Sequence, residues 1–435
     1  MIEVKSNPRK VERACLVGVQ NPDQSEREAE GLLDELAELV RNLGIEVVHR
    51  ELVRIKERHP RLLIGGGRAA TIINEAKRLE CDLIAFDEEL SPAQQRNWEQ
   101  ESRLCVIDRQ EVILDIFAER AQTKEASLQV ELARLEYMLP RLKRAWTHLN
   151  RQRGGGATQR DTGETQLELD QRIVRDRIAR LKRQLGEVIQ HRSVQRKQRL
   201  RIPLPTAALV GYTNAGKSSL LNRLTGAQVL VQDKLFATLD PTTRRLNLPC
   251  GQTLLVTDTV GFVRKLPHRL VEAFKATLEE AIVADILIHV VDASNPELER
   301  HLKTTCDVLD ELGADRTKMI MVFNKMDIQP DPFQLAWIKT EFPGACFVSS
   351  YTGAGLDTLI DKLEGIINAD SRAMELLIPH NRYDLIHRLH QVGAIHHEQA
   401  EDEGVHIRGA VPHRMVDAVL PFELSPQAIA RRKIV

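Results

Sequence analysis

A glycine-rich segment in the middle of the chain has the spacing of a phosphate-binding loop. GYTNAGKS, at 211–218, fits the pattern G-x-x-x-x-G-K-S between a predicted strand and a predicted helix. Gly211 and Gly216 allow backbone N–H groups to approach phosphate oxygens at a helix N-terminus. Lys217 can then reach the β- and γ-phosphates, and the Ser218 hydroxyl can bind Mg²⁺. The segment predicts binding of a nucleoside triphosphate together with a metal ion.

A second segment, DTVG at 258–261, follows the apolar strand TLLVT (253–257). Asp258 stands at the carboxyl end of this strand, where it would support the metal from the second coordination shell. The backbone N–H of Gly261 would donate to the γ-phosphate. The pattern D-x-x-G is common by chance, but its position after a phosphate-binding loop makes it specific here.

NKMD, at 324–327, follows the apolar strand MIMVF and indicates which base is bound. The Asp327 carboxylate can accept from both guanine N1–H and the exocyclic amine. Adenine lacks that amine and would leave the buried acceptor unpaired. Asn324 would tie the base edge to the loop, and the stem of Lys325 would pack along the ring. Downstream, SSY (349–351) would present backbone N–H groups to the guanine carbonyl, so the sequence predicts GTP.

The segments GYTNAGKS, DTVG, NKMD and SSY are called the four boxes below. FATLDPTTRR (236–245) lies between the first two of them and is typical of a switch loop. A switch threonine binds Mg²⁺ and senses the γ-phosphate, so the loop is ordered with GTP and released with GDP. By chemistry alone Thr238, Thr242 and Thr243 all qualify. Phe262 follows DTVG where many GTPases carry a glutamine that orients the attacking water. Because phenylalanine cannot do this, we expect hydrolysis with slow intrinsic turnover.

Strands must place these boxes at one edge of a sheet. The apolar runs between 204 and 368 read as strands buried on both faces of a parallel sheet, which predicts an α/β domain at 201–370. The expected strands are AALV (207–210), TLLVT (253–257), ILIHVV (286–291), MIMVF (319–323) and CFV (346–348). The tail, 371–435, predicts a small α+β module with a hairpin across EDEG (401–404).

The N-terminal part predicts a separate parallel α/β domain at 1–120. Its expected strands are ACLVGVQ (14–20), IEVVHREL (45–52), LIAF (83–86) and LCVI (104–107). IGGGRAATI (64–72) leaves two interpretations open: a phosphate-binding nest for a second nucleotide, such as ATP, or a close-packed turn before a helix.

Apolar residues at heptad spacing predict two helices within 121–200 that fold into an antiparallel hairpin. The first carries Pro140, which is expected to kink it. The segment 191–203 is polar and is interpreted as the linker to the next domain. From Arg120 to Arg201 there are 20 Lys/Arg against 9 Asp/Glu, although the whole chain carries a net charge of −1. A basic arm on an acidic body favours a polyanionic partner, with a solvated helical surface as the alternative.

Composition narrows the class of protein further. No run approaches the roughly 18 apolar residues of a membrane span, and the N-terminus lacks a signal core. The six cysteines form no CxxC pair, so neither a disulfide scaffold nor a zinc knuckle is predicted. We expect a cytoplasmic protein, with a monomer as the oligomeric state.

Taken together, these features resemble the HflX family of ribosome-associated GTPases. The resemblance rests on the four boxes, the FATLDPTTRR switch, Phe262, the GETQLE segment (163–168) and the small C-terminal module. It implies a Ras-like G domain preceded by an α/β domain with a helical hairpin, and it makes Thr238 the switch threonine. It also implies binding to the large ribosomal subunit and its rRNA, and splitting or rescue of stalled ribosomes under stress such as heat. The family loop usually reads GTRGPGETQLE, whereas Asp161 and Thr162 stand here in place of Gly-Pro.

The predicted activity is therefore GTP hydrolysis stimulated by the ribosome. The alternatives are a GTPase of ribosome assembly or RNA modification, and a non-enzymatic GTP-dependent switch. Lys217, Thr238 and Gly261 are the predicted catalytic residues, and Ser218 and Thr238 are the predicted Mg²⁺ ligands, with Asp258 behind them. The predicted GTP-binding residues are Gly211, Tyr212, Thr213, Asn214, Ala215, Gly216, Lys217, Ser218, Phe236, Ala237, Thr238, Leu239, Asp240, Asp258, Thr259, Val260, Gly261, Asn324, Lys325, Met326, Asp327, Ser349, Ser350 and Tyr351.

Overall fold

The computed structural model describes most of the chain as two compact units. The described residues are 11–145, 160–199, 204–226, 235–236, 239–265 and 281–424. The first unit comprises Met1–Val188 with Lys234–Leu239 and Arg264–Phe274, and the second comprises the remaining segments. Each unit has a parallel sheet, which confirms the predicted α/β class.

The first unit contains a four-stranded parallel sheet in the order β2-β1-β3-β4. All four predicted strands are present, and Trp98 packs edge-to-face on Phe86 in the core at 4.8 Å. The strands are β1 (Arg13–Gln20), β2 (Glu46–Arg54), β3 (Leu83–Phe86) and β4 (Cys105–Asp108). The helices between and after them are α1 (Glu26–Asn42), α2 (Gly66–Arg78), α3 (Pro92–Ser102) and α4 (Arg109–Arg120).

Side-chain caps fix where these helices begin. The Ser25 and Asp108 side chains accept from backbone N–H groups in the first turns of α1 and α4. Ser91 and Gln94 form a reciprocal capping box at the start of α3. Helix α2 begins at its glycines with no side-chain cap, and a Cβ at positions 65–67 would meet nothing within 4 Å. Close packing therefore does not explain these glycines.

A buried ionic cluster joins four segments of the first unit. Arg109 donates to Asp87 at 2.7 Å and to Glu35, and all three side chains are at least 93% buried. Arg264 donates to Glu35 at 2.9 Å, and Lys265 donates to Asp87 at 2.8 Å. Because a buried charge without its partner costs about 3–5 kcal/mol, these contacts hold 264–265 firmly against the sheet domain.

Two long helices, α5 (Lys124–Ala145) and α6 (Arg160–Arg199), follow the sheet of the first unit. Helix α5 runs through Pro140, and the kink expected at this residue stays a prediction. The next residue, Arg141, is tied to Gln95 at 2.7 Å and to Asp108 at 3.1 Å, which holds the helix beyond the proline. Helix α6 also runs through 191–199, so the predicted linker is mostly helical. Arginine, lysine and glutamine favour helix there, and the next proline is Pro203.

The contacts between α5 and α6 differ from the predicted antiparallel pairing. Arg177 pairs with Glu131, and Lys182 pairs with Glu136, each at 2.8 Å. With Glu131 beside Arg177, an antiparallel pair of helices would place Glu136, five residues further along α5, near residue 172, five residues earlier on α6. The observed partner is residue 182, five residues later on α6. The reason is that α5 buries its apolar stripe, including Val130 and Tyr137, against α3 and α4 rather than along α6.

The second unit contains a six-stranded sheet in the order β10-β9-β8-β5-β7-β6, parallel except for β6. The five predicted strands are confirmed: β5 (Thr206–Val210), β7 (Thr253–Asp258), β8 (Ile286–Asp292), β9 (Met319–Asn324) and β10 (Cys346–Phe347). The edge strand β6 (Thr242–Asn247) was not predicted, because half of its side chains face solvent and TTRRLN lacks an apolar run. The described helices around this six-stranded sheet are α7 (Lys217–Thr225), α8 (Leu298–Glu311), α9 (Pro332–Glu341) and α10 (Leu356–Ala369).

The C-terminal module has the predicted α+β form. Its sheet order is β11-β13-β12, with all pairings antiparallel. The elements are β11 (Ser371–Ile378), α11 (Tyr383–Gln391), β12 (Ile395–Glu401), β13 (Gly404–Pro412) and α12 (His413–Val419). Among the described helices of the whole chain, none is long and apolar enough to cross a membrane.

Candidate functional site

The predicted chemical boxes meet at one edge of the six-stranded sheet. GYTNAGKS follows β5, DTVG begins at the end of β7, NKMD begins at the end of β9, and SSY follows β10. These strands are mutually parallel, so their carboxyl ends lie on the same side. This is the edge where open α/β sheets bind ligands.

Two glycines of the phosphate-binding loop are required by its geometry. Gly211 has φ +147°, and a Cβ there would come within 2.2 Å of the Val290 carbonyl oxygen. Gly216 has φ +90°, and a Cβ there would come within 2.2 Å of Asn324 Nδ2. Asn214 also has a positive φ, +59°. The backbone therefore curls tightly before α7 begins at Lys217, which leaves N–H groups facing the place of a phosphate.

Lys217 lies folded back into this loop. Its ammonium donates to the carbonyl oxygens of Gly211 at 3.1 Å and Tyr212 at 2.8 Å. Burial lowers the pKa of Lys217 to about 8, and the Asp258 carboxylate partly offsets this effect. His289 on β8 is buried as well, and burial followed by the Lys217 charge lowers the pKa of His289 to about 3. His289 is thus neutral, and Lys217 is the local cation.

Ser218 and Asp258 lie together at the start of α7 and the end of β7. The Ser218 hydroxyl donates to Asp258 Oδ2 at 2.5 Å, and Asp258 is fully buried. A hydroxyl and a carboxylate are oxygen ligands of the type that Mg²⁺ prefers. Thr259, next in the chain, donates from Oγ1 to the Leu209 carbonyl at 2.6 Å and so fixes DTVG to β5. The donor set therefore fits a magnesium ion.

The end of DTVG pairs with the phosphate-binding loop through its backbone. Thr213 N donates to Phe262 O at 2.8 Å, and Phe262 N donates to Gly211 O at 3.1 Å. A Cβ at Gly261 would come within 2.8 Å of Thr213 Cα and 2.9 Å of Lys217 Nζ. Gly261 thus lies directly against the loop, next to the lysine. The Phe262 side chain is 2% exposed and has no group that could orient water.

The segments NKMD and SSY, which are predicted to recognise the base, are joined by side-chain hydrogen bonds. Asn324 Nδ2 donates to the Ala215 carbonyl at 2.9 Å and to Ser350 Oγ at 3.2 Å, while Asn324 Oδ1 accepts from Ser350 N at 3.0 Å. The Ser349 hydroxyl donates to the Asp327 carboxylate. Lys325 pairs with Asp292 at 2.8 Å. Met326 N donates to the Val348 carbonyl at 3.2 Å, and Tyr351 is largely exposed.

Sequence reasoning missed two side chains that support these loops. Arg223 on α7 donates to the Thr352 carbonyl at 3.0 Å and covers Gly353, whose φ is +91°. His301 on α8 stacks on Tyr212. An arginine or histidine on an amphipathic helix gives no sequence signal of such a contact, because only the fold brings it to the loop.

The predicted switch segment is divided between the two units, with residues up to Leu239 in the first and residues from Asp240 in the second. Phe236 and Leu239 belong to the first unit by their contacts, and the buried Phe236 packs edge-to-face on Phe117 at 4.6 Å. Ala237 and Thr238 lie outside the described residues. Asp240 precedes β6. Thr242 and Thr243 lie within β6, where Thr242 pairs with Asp258 and the Thr243 hydroxyl hydrogen-bonds to that of Thr257 at 2.9 Å.

The chain is similar to families of GTPases along most of its length. A family described as GTP-binding GTPase N-terminal matches residues 30–118, and one described as GTP-binding GTPase Middle Region matches 120–199. A family described as 50S ribosome-binding GTPase matches residues 206–325. Among solved structures, a complex of SsGBP with GDP covers 82% of this chain and 98% of its own, with 26% identity and a TM-score of 0.48.

Two full-length relatives carry the same name. GTPase HflX of Akkermansia muciniphila is 47% identical over 95% of this chain and 97% of its own. GTPase HflX of Escherichia coli K12 is 41% identical over 90% of this chain and 92% of its own. The parallel sheet with its four boxes defines a P-loop GTPase. Identity at this level and coverage shows that the chain belongs to the HflX family, and it is a GTP hydrolase.

Proposed function

We propose that this GTPase acts in the cytoplasm on ribosomes, binding the large subunit and splitting or rescuing stalled particles under stress. The observation that carries the proposal is the basic surface of α6. The description of the family that matches the G domain, 50S ribosome-binding GTPase, supports the same partner. Ribosomal RNA is a polyanion, and a basic helix is attracted to its phosphates in a salt-dependent manner.

The surface of α6 offers three outward-facing arginines for this contact. Arg172, Arg180 and Arg183 are exposed, whereas Leu181 is fully buried. At about 100° per residue, Leu181 lies on the opposite side of the helix from Arg172, and the three arginines fall within about 80° of each other. The neighbouring Arg177 pairs with Glu131. The exposed Asp176 and Glu187 fall within the same sector of the helix, where the three arginines outnumber the two carboxylates.

We further propose roles for the nucleotide-site residues. Gly211–Ser218, Asp258–Gly261, Asn324–Asp327 and Ser349–Tyr351 would bind GTP, and 236–240 would join them as the switch segment. Ser218 and Thr238 would hold Mg²⁺, with Asp258 behind them. Lys217, Gly261 and Thr238 would stabilise the charge that develops on the γ-phosphate.

The test is GTP turnover by the full chain, alone and with large ribosomal subunits, at two salt concentrations. We expect strong stimulation that fades as salt rises. Replacing all three arginines, in R172E/R180E/R183E, should abolish stimulation and leave turnover without ribosomes unchanged. The matched control, R54E/K56E/K77E, changes three exposed basic residues of the first unit by the same charge and should retain stimulation.

Sedimentation of intact ribosomes with the protein and GTP then separates the ribosomal functions. Conversion to free subunits supports splitting. Stimulated turnover without conversion would instead indicate a role in assembly or RNA modification. No stimulation by any ribosomal particle would refute the ribosome as activator and favour a switch that acts on a protein partner.

A further inference from the structure

The phosphate-binding loop carries an aromatic ring that lies flat on a histidine of a neighbouring helix. The ring centroids of Tyr212 and His301 are 3.6 Å apart, and the ring planes differ by 5°. Tyr212 is the second residue of GYTNAGKS and is 6% exposed. His301 lies near the start of α8 (Leu298–Glu311). A face-to-face contact of this kind restricts Tyr212 to one side of the loop.

Helix α8 is itself held firmly where it presents His301. Its apolar side chains Leu298 and Leu302 are buried in the core. The segment that leads into the helix is fixed by Ala293, whose N–H donates to the Asn324 carbonyl at 3.0 Å. His301 therefore acts as a fixed support for the loop rather than as a mobile side chain.

The backbone around Tyr212 serves the γ-phosphate end of the site in two ways. The Tyr212 carbonyl accepts from the Lys217 ammonium at 2.8 Å. The residues on either side, Gly211 and Thr213, pair with Phe262, which follows Gly261. A shift of Tyr212 would therefore move both the lysine and the glycine N–H that act on the γ-phosphate.

We infer that His301 is a positioning residue for GTP hydrolysis and acts through Tyr212. It holds the outer turn of the phosphate-binding loop so that Lys217 and Gly261 face the γ-phosphate. GDP lacks this phosphate and is bound by the remainder of the loop and by the base segments. The effect of His301 is thus on turnover more than on GDP affinity. This inference concerns hydrolysis by the chain alone and does not depend on the proposed ribosomal partner.

The test compares single-turnover GTP hydrolysis and GDP affinity in full-length variants. His301→Ala should lower the hydrolysis rate constant by about three- to tenfold, the range that ring stacking allows. The Kd for GDP should rise by a smaller factor than the rate constant falls, because only the Lys217 contact to the β-phosphate is weakened while the contacts to the base and the α-phosphate remain. His301→Phe, which keeps a flat ring, should restore the rate. Lys303→Ala, an exposed change on the same helix, is the control and should match the parent chain.

A double variant separates this role from a general loss of structure. In the Tyr212→Ala background, His301→Ala should cause no further loss, because the two residues act through one contact. If His301→Ala does not fold, His301→Leu takes its place, because leucine fills the volume without providing a flat ring. The comparison is then between His301→Leu and His301→Phe. An unchanged rate in His301→Ala, failure of phenylalanine to restore the rate, or multiplied losses in the double variant would each overturn the inference.

Discussion

At the scale of single residues, Asp327 is the side chain that is predicted to recognise the base. Asp327 is positioned by a hydroxyl donor, Ser349. Its carboxylate can therefore turn its remaining acceptor positions toward a ligand with two N–H donors, as guanine has. Asp327 is exposed in this structure, whereas the sequence predicts a buried acceptor. The proposed role of Asp327 in base choice therefore requires that the bound base itself covers the carboxylate, because an unmatched polar contact is costly only when water is excluded.

Asp327→Asn should change the base that the enzyme accepts. The amide cannot accept from both guanine donors, so kcat/KM for GTP should fall on the order of 100-fold or more. The same amide can donate to the carbonyl that xanthine carries in place of the guanine amine, so hydrolysis of XTP should rise. Both rates are measured by phosphate release. Asp417→Asn, an exposed change in the C-terminal module, is the control; equal GTP use by the two variants would remove Asp327 as the base-reading residue.

At the scale of elements, the strands were predictable and the long helices less so. Strands β7 to β9 are near-continuous apolar runs, and such runs are buried on both faces of a parallel sheet whatever the surroundings. Strand β6 escaped prediction because its pairing to β7, and not its composition, makes TTRRLN a strand. Beyond Pro140, helix α5 is held by the contacts of Arg141 with Gln95 and Asp108, and local sequence cannot show such contacts.

The contact between α4 and α5 makes the first unit sensitive to pH. The Tyr137 hydroxyl on α5 lies 3.0 Å from an Asp108 oxygen and 3.1 Å from a Glu111 oxygen, and its single proton is donated to one of the two at a time. Burial and then the Asp108 charge raise the pKa of Glu111 to about 7. Since this pKa lies above the unfolded value, the folded unit binds the proton more tightly. The contribution of Glu111 to stability is therefore greatest at low pH and is lost as pH rises through about 7.

Between pH 5 and pH 8 the first unit should lose on the order of 1–3 kcal/mol of its unfolding free energy from this group. Glu111→Gln should remove that part of the loss. Urea unfolding followed by Trp98 fluorescence, with Trp146 and Trp337 changed to Phe, reports on this unit in the full chain. Glu119→Gln on the same helix should leave the pH dependence as it was. The prediction is contradicted if the free energy of unfolding depends on pH in the same way in the parent chain and in Glu111→Gln. That result would show that Glu111 is charged at neutral pH.

At the scale of the whole molecule, the sequence placed the four boxes at the ends of their strands but did not show the side chains from other elements that contact them. The four boxes are local patterns, and each was placed correctly on its strand because a motif carries its own strand-to-loop context. The support of Tyr212 by His301 joins residues 89 positions apart, as their numbers show, and no local pattern encodes it. The charge excess of 121–200 was visible in composition, whereas the outward face of α6 required the helix phase and the burial of Leu181.

The unusual Asp161 gives a prediction for the proposed ribosomal contact. An acidic residue near rRNA phosphates opposes binding, so Asp161→Asn should tighten binding of the large subunit by about two- to fivefold at low salt, and less at high salt. Co-sedimentation with subunits measures the Kd. Asp170→Asn, further along α6, removes the same charge at a different place and should change the Kd less. Equal effects of the two substitutions would mean that net charge, and not the position of Asp161, sets the affinity.

The hydrogen bonds of Asn324 have a consequence for the release of GDP. One amide side chain joins the phosphate-binding loop at Ala215 to the base-binding segment at Ser350. A nucleotide held at one end therefore meets a second end that is already ordered, at a high effective concentration. The same coupling works in reverse: disturbing either end loosens the other. With the proposed roles of these segments, we expect that a partner which touches only the segment around the exposed Tyr351 would weaken binding of the whole nucleotide without reaching the phosphates.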